Sequence, residues 1–165
     1  MRVPIRKPGK YTFHKPDLNL TQVKFDQLKN QLARLKNSQP QAIAEVQRLA
    51  ELGDFSENAA YQMAKGRLRS INDRIFELTE YLKLAVIIQS EKDVATVKLG
   101  HRVTVGAGDT KKTYLLLGSS ETNPARGVIS HHSPLGSALL GHQVGDTVKV
   151  QSKNSSLEYT IIKIE

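Results

Sequence analysis

Tyr61, Ala64, Leu68, Ile71, Ile75, Leu78, Leu82 and Ala85 step by three and four residues without a miss. This is a heptad seam over about four heptads, and it demands a long amphipathic helix that cannot bury its seam alone. A similar segment precedes it. Between Thr21 and Leu52, Phe25, Leu28, Leu32 and Leu35 keep the spacing, and Ala42, Val46 and Leu49 resume it. Pro40 is the only serious breaker in that stretch, and Gly53 interrupts the chain after it. Two such helices joined by a few residues fold back antiparallel. Arms of roughly 30 residues make a hairpin about 45–50 Å long, at about 1.5 Å per residue. So thin a rod suits reaching into something. Periodicity by itself favours a plainer use, as a dimerisation coil or a spacer.

After Lys92 the period becomes strand-like. His101–Val105, Lys112–Leu117, Gly127–Ser130, Thr147–Val150 and Leu157–Ile164 are strand candidates. Turn signals separate them at Gly106-Ala107-Gly108-Asp109, Asn123-Pro124 and Gly145-Asp146. One short helix fits between Pro134 and Leu140, with Ser133 as N-cap, Pro134 at N1 and Gly141 at C′. The fold class is therefore α+β: a helical hairpin over 17–90 with its tip at 53–61, then a small α+β domain over 91–165.

Charge locates a third region. The net charge is +8. Residues 1–16 hold Arg2, Arg6, Lys7, Lys10 and Lys15 and no acid, so most of the excess is theirs. With Pro4, Pro8, Gly9 and Pro16 they read as an extended basic arm, suited to phosphates or an acidic protein surface, or left as a solvated terminus. No cysteine is present, which excludes disulfides, thiolate metal sites and cysteine nucleophiles. The longest apolar runs, such as Leu115–Leu117 and Ala85–Ile88, are far too short to cross a bilayer. No apolar run follows the basic start, so a secretory signal is not expected, and a cytoplasmic protein without membrane partners is.

The chemistry concentrates between the two long helices, in Gly53-Asp54-Phe55-Ser56-Glu57-Asn58-Ala59-Ala60-Tyr61. Asp54 and Glu57 have the spacing of a capping box, and carboxylates favour a helix N-terminus. The same two acids allow another use. Two hard oxygen ligands three residues apart can share one Mg²⁺, which is commonly held by one or two carboxylates plus waters and phosphate oxygens. Such an incomplete site would act only where a partner supplies the remaining ligands.

This tip resembles the signature of the bacterial GreA/GreB transcript cleavage factors. A second stretch is similar to the C-terminal domain of that family: Val128-Ile129-Ser130, Ser133-Pro134-Leu135, Ala138-Leu139-Leu140-Gly141 and Val144-Gly145-Asp146. The resemblance runs from about Leu18 to the C-terminus. It implies an antiparallel coiled coil followed by an FKBP-like domain. It implies a monomer that binds bacterial RNA polymerase and is not itself an enzyme. In the family the C-terminal domain docks at the rim of the polymerase secondary channel, and the coiled coil enters it. The polymerase then cuts the 3′ end of backtracked RNA. Asp54 and Glu57 match the two acids thought to hold a second Mg²⁺ there, an arrangement that agrees with two-metal chemistry. Phe55, Ser56, Asn58 and Tyr61 match tip positions that shape the loop or touch the polymerase active centre. Lys65, Arg67, Arg69 and Arg74 match a basic patch associated with extruded RNA, and basic side chains suit phosphate. They fall on more than one helical face and are equally ordinary charge beside a coiled-coil seam. Ser133, Pro134, Leu135 and Leu139 fall in the polymerase-binding segment.

The chain departs from the family pattern at three places. Ala60 stands where an acid is frequent, Ser137 stands where many members have Arg, and the arm 1–16 has no counterpart. These keep open a second reading, a regulator that occupies the channel without promoting cleavage. A peptidyl-prolyl isomerase would need an aromatic-lined pocket, and after Lys92 the aromatics are Tyr114 and Tyr159 alone. His131, His132 and His142 show no compelling ligand spacing, and Gly106-x-Gly108 reads as a hairpin turn.

Overall fold

Thr21 opens the first helix. Its backbone is extended and its hydroxyl accepts the Lys24 N–H at 3.2 Å, which satisfies one of the free donors of the first turn. Helix α1 (Gln22–Glu51) and helix α2 (Ala59–Leu84) form the hairpin. The computed structural model describes residues 17–52, 59–89, 95–108, 110–152 and 155–165. The basic arm 1–16 and tip residues Asp54, Phe55, Ser56, Glu57 and Asn58 lie outside the described residues.

Covered positions in α1 run Phe25, Leu28, Leu32, Leu35, Gln39, Ala42, Val46 and Leu49, and in α2 they include Tyr61, Ala64, Leu68, Ile71, Ile75, Leu78 and Leu82. The Gln39 amide donates to the Asn72 carbonyl oxygen at 2.8 Å, and Arg67 meets Glu45 at 3.9 Å, so the helices run antiparallel. Gln39 occupies a seam position with its polar group satisfied, which leaves the seam register intact.

Pro40 does not break α1, which passes through it without interruption. A proline removes one N–H and crowds the carbonyl four residues back, here that of Lys36. Both residues are exposed, so water can serve the freed carbonyl. Ser38 adds a local bond, its hydroxyl donating to the Leu35 carbonyl at 2.9 Å.

The base of the hairpin is closed by a pairing that no periodicity announces. Strand β1 (Asn19–Leu20) lies parallel to β2 (Val86–Ile87), with Asn19 opposite Val86 and Leu20 opposite Ile87. Leu20 is fully buried.

The second region is a five-stranded sheet of β3 (Arg102–Ala107), β4 (Thr110–Leu117), β5 (Val128–Ser130), β6 (Thr147–Ser152) and β7 (Ser155–Ile164), in the order β5-β4-β3-β7-β6. Among the described pairs of this sheet β4 and β5 alone are parallel. Cross-strand pairs fix the register: Thr104 with Thr113 at 2.9 Å, Thr147 with Thr160 at 3.0 Å and Lys149 with Glu158 at 2.9 Å. Helix α3 (Pro134–Leu139) has Ser133 as N-cap, its hydroxyl accepting the Gly136 N–H at 3.0 Å, and Gly141 follows it at φ 81°. Val97, Val103, Val105, Leu116, Leu139, Val148, Ile161 and Ile164 make the core between α3 and the sheet. Gly108 turns the chain from β3 to β4 at φ 57°, the hairpin turn expected of Gly106-x-Gly108.

Candidate functional site

The basic side chains expected near the tip separate along and around α2. Tyr61 sits half-buried in the first turn, with the Lys65 ammonium 5.9 Å from its ring centroid. At about 100° per residue Lys65 and Arg69 share one side of the helix, and Arg67 and Arg74 share another. Arg67 faces Glu45 across the seam, Arg69 reaches Asp73 at 3.9 Å and Arg74 reaches Glu77 at 3.1 Å. All three guanidinium groups remain largely exposed, so these pairs are weak and can be exchanged for a phosphate. Arg74 stands about 22 Å along the axis from Ala59. It lines a cavity of about 560 Å³ near the hairpin base with Leu18, Leu28, Leu78 and Tyr81. The structure therefore keeps Lys65, Arg67 and Arg69 near the tip and sets Arg74 apart.

At the base, the two regions are joined through side chains. Glu121, in a short 3₁₀ turn after β4, accepts the Thr21 N–H on one oxygen at 2.8 Å and the Thr21 hydroxyl on the other at 2.6 Å. This is the acid's half of a capping box, supplied from a hundred residues away, since the third helical position of α1 is Lys24. The Asp17 carboxylate accepts the Ser119 N–H at 2.6 Å, the Asn19 N–H at 3.1 Å and the Asn19 amide at 3.0 Å. The Tyr81 hydroxyl of α2 donates to the Asp17 carbonyl at 2.7 Å. Burial pushes the Asp17 carboxyl up, but the Ser119 and Asn19 donors outweigh that and hold it below the ordinary carboxylate value. Gly118 makes the approach possible, because a Cβ there would collide with the Asn19 carbonyl oxygen.

His131 and His132 also face Asp17, and one donor atom from each of the three lies within 4.8 Å of the others. Asp17 is already engaged by Ser119 and Asn19, and His131 Nδ1 lies 3.6 Å from its carboxylate and 3.4 Å from the Leu117 carbonyl. The His132 ring is exposed and lies 3.9 Å, centroid to centroid, from that of His131.

Two family models match the chain, the N-terminal domain of transcription elongation factor GreA/GreB over residues 18–87 and its C-terminal domain over residues 91–165. The chain belongs to the GreA/GreB family of transcription elongation factors. Transcription elongation factor GreA from Nautilia profundicola is 37% identical over 149 residues, covering 88% of this chain and 92% of that protein. GreA from Thermomicrobium roseum is 36% identical over 133 residues, covering 79% and 85%. Among solved structures, GreA factor homolog 1 of Thermus thermophilus is 27% identical, covers 90% of this chain and 99% of its own, and superposes with a TM-score of 0.41.

The family's C-terminal segment is unevenly available to a partner. Pro134 is exposed, and Ser133 and Leu135 are half-buried. Ser133 is bound on both sides, donating to the Ser130 carbonyl at 2.6 Å while it caps α3. Leu139 is fully buried in the core and has no surface to offer. The expectation that it touches a partner is corrected: its spacing within α3 turns it toward the sheet, and it acts by holding the helix there. Ser137 is exposed, and its hydroxyl folds back onto the Pro134 carbonyl at 3.2 Å. A cleft of about 250 Å³ near the end of β3 is lined by Val105, Ala107, Thr110, Lys112, Leu157 and Tyr159. One aromatic in that lining does not make the pocket an isomerase needs. No helix among the described residues is long and apolar enough to cross a membrane.

Sequence reasoning missed the contacts at the base. In the sequence Thr21 marked only the edge of the helical spacing, and a cap without an acid three residues on would have been a faint sign of an outside partner. Nothing local points to Glu121, Ser119 or Gly118.

Proposed function

We propose that this factor stimulates the cleavage of backtracked RNA by bacterial RNA polymerase, docking through its sheet domain and entering the secondary channel with its hairpin. The observation that carries this reading is the placement of the motif. In the chain the motif follows α1 and runs into the first turn of α2, the two helices forming a narrow antiparallel rod, and α1 alone is about 45 Å long. A rod of that reach can present two carboxylates inside a channel that a globular domain cannot enter.

Asp54 and Glu57 offer the donor set that suits Mg²⁺, hard oxygens too few to hold it alone. Asp54 and Glu57, with further ligands from the polymerase, would hold a Mg²⁺ that would supply charge stabilisation to two-metal hydrolysis. This chain's own work is to bring the carboxylates there, with Phe55, Ser56, Asn58 and Tyr61 as the supporting residues of the tip. Lys65, Arg67 and Arg69, all exposed, supply positive charge for the extruded RNA. The factor turns over no substrate of its own.

The test uses the cognate polymerase, stalled and backtracked with unpaired RNA 3′ ends and Mg²⁺. Wild-type protein should shorten the RNA to ends that can be re-extended. Asp54→Ala with Glu57→Ala should abolish that and leave binding nearly intact. Cleavage that survives the double change sinks the mechanism.

A channel-occupying regulator is the second reading. Ala60 and the inward-bonded Ser137 support it, since both replace a charge that family members often present. Dose-dependent inhibition of synthesis without shortened RNA would decide for it.

A further inference from the structure

We infer that Glu121, Thr21, Asp17 and Gly118 are positioning residues that set the aim of the tip, an inference that rests on the function proposed above. The hairpin is a lever. A rotation of about 5° at the base of a rod of about 45 Å carries its far end by about 4 Å. Two catalytic metal ions stand only about 3.5–4 Å apart, so that error equals the whole spacing the carboxylates must respect. A misplacement of about 1 Å already costs on the order of a hundredfold in rate. Docking through one domain and acting through the end of another therefore requires a stiff joint.

The described contacts make one. Glu121 grips the N–H and the hydroxyl of Thr21, the cap from which α1 begins, and α1 inherits that orientation. Asp17 bonds Ser119 of the sheet domain through its side chain and Tyr81 of α2 through its carbonyl, so each helix is tied separately. Gly118 lets Asn19 pack directly against the turn that carries Ser119 and Glu121. The Asp17 side chain is 6% exposed, which shields the contact from competition by water. Two ties on different helices resist both bending and rotation, as one tie cannot.

The experiment separates aim from docking. Gly118→Ala places a methyl against the Asn19 carbonyl and pushes the hairpin base off the sheet domain. Glu121→Ala removes the grip without adding an atom, and guards against misfolding of the first variant. Both should lower the maximal cleavage rate at saturating factor by about tenfold or more, while the half-saturating concentration stays at the wild-type value. Glu121→Gln, which keeps an acceptor for the Thr21 N–H, should recover most of the rate. The chain has no cysteine, so spin labels on Ala60→Cys and Lys149→Cys report the tip-to-domain distance without background. That distribution should broaden or shift by several ångströms in the first two variants. Unchanged maximal rates and distances overturn the inference, as does a loss seen wholly as a raised half-saturating concentration. If the wild-type protein itself cuts no RNA, the proposed function fails and takes this inference with it. Wild-type cleavage with unaffected variants removes the inference alone.

Discussion

The hairpin and the sheet domain spend similar lengths of chain very differently. Helices α1 and α2 bury only Ala42, Leu49, Ala64 and Leu78. The sheet domain gathers Val97, Val103, Val105, Leu116, Leu139, Val148, Ile161 and Ile164 into one core. A two-helix rod covers each seam residue from one side, so its large side chains stay half-exposed, while a helix on a sheet covers them from all sides. The rod gains reach and loses stability of its own. What orders it at the base is borrowed from the other region.

That contrast can be broken most directly in the cores. Leu116→Ala should cost about 2–5 kcal/mol, and Leu32→Ala in the hairpin less than half of that, because Leu32 has less contact to lose. Denaturant unfolding followed by circular dichroism measures both. Equal losses would mean that the rod is packed like a domain.

Next in size is a gain. Pro40→Ala restores a helical N–H at an exposed position and should stabilise the hairpin by up to about 3 kcal/mol, read as a higher melting temperature of the helical signal. No gain would show that water already satisfies the Lys36 carbonyl at little cost.

Thr21→Ala removes the cap and leaves the Glu121 carboxylate half-satisfied, so a loss of about 1–2 kcal/mol is expected. Amide hydrogen exchange should place that loss in the first turns of α1 and around Ser119–Glu121 together. Exchange that rises in α1 alone would mean that the regions are not coupled through this residue.

The smallest effect is on acid stability. The Asp17 carboxyl titrates below its ordinary 3.8 when folded, so its contribution is complete above that pH and fades as pH falls through the folded value. The melting-temperature gap between wild type and Asp17→Asn should hold from neutrality to about pH 4 and narrow below it. A gap that stays constant below pH 4 would mean that the Asp17 charge contributes nothing to folding.

The seam residues from Tyr61 to Leu82 were legible because a heptad is a local pattern, and an antiparallel pair is its simplest burial. The sheet strands were legible for the same reason, with ends short by a few residues where Gly106, Ala107 and Thr110 extend the β3–β4 ladder without alternating hydrophobicity. Pro40 misled because propensity describes an isolated helix, and α1 is held on both sides of the proline by the partner helix. Leu139 misled because a motif position says nothing about which way a side chain faces.

The sequence by itself determined the two regions, their order, their periods and the two acids between the long helices. Each of those is a property of residues within a few turns of one another. Only the tertiary structure decided how the regions are joined. Glu121 completes the cap of Thr21 across a hundred residues, and Gly118 is needed because the Asn19 backbone lies against it. No local preference encodes such a pairing, because its energy exists only once both partners have folded and met.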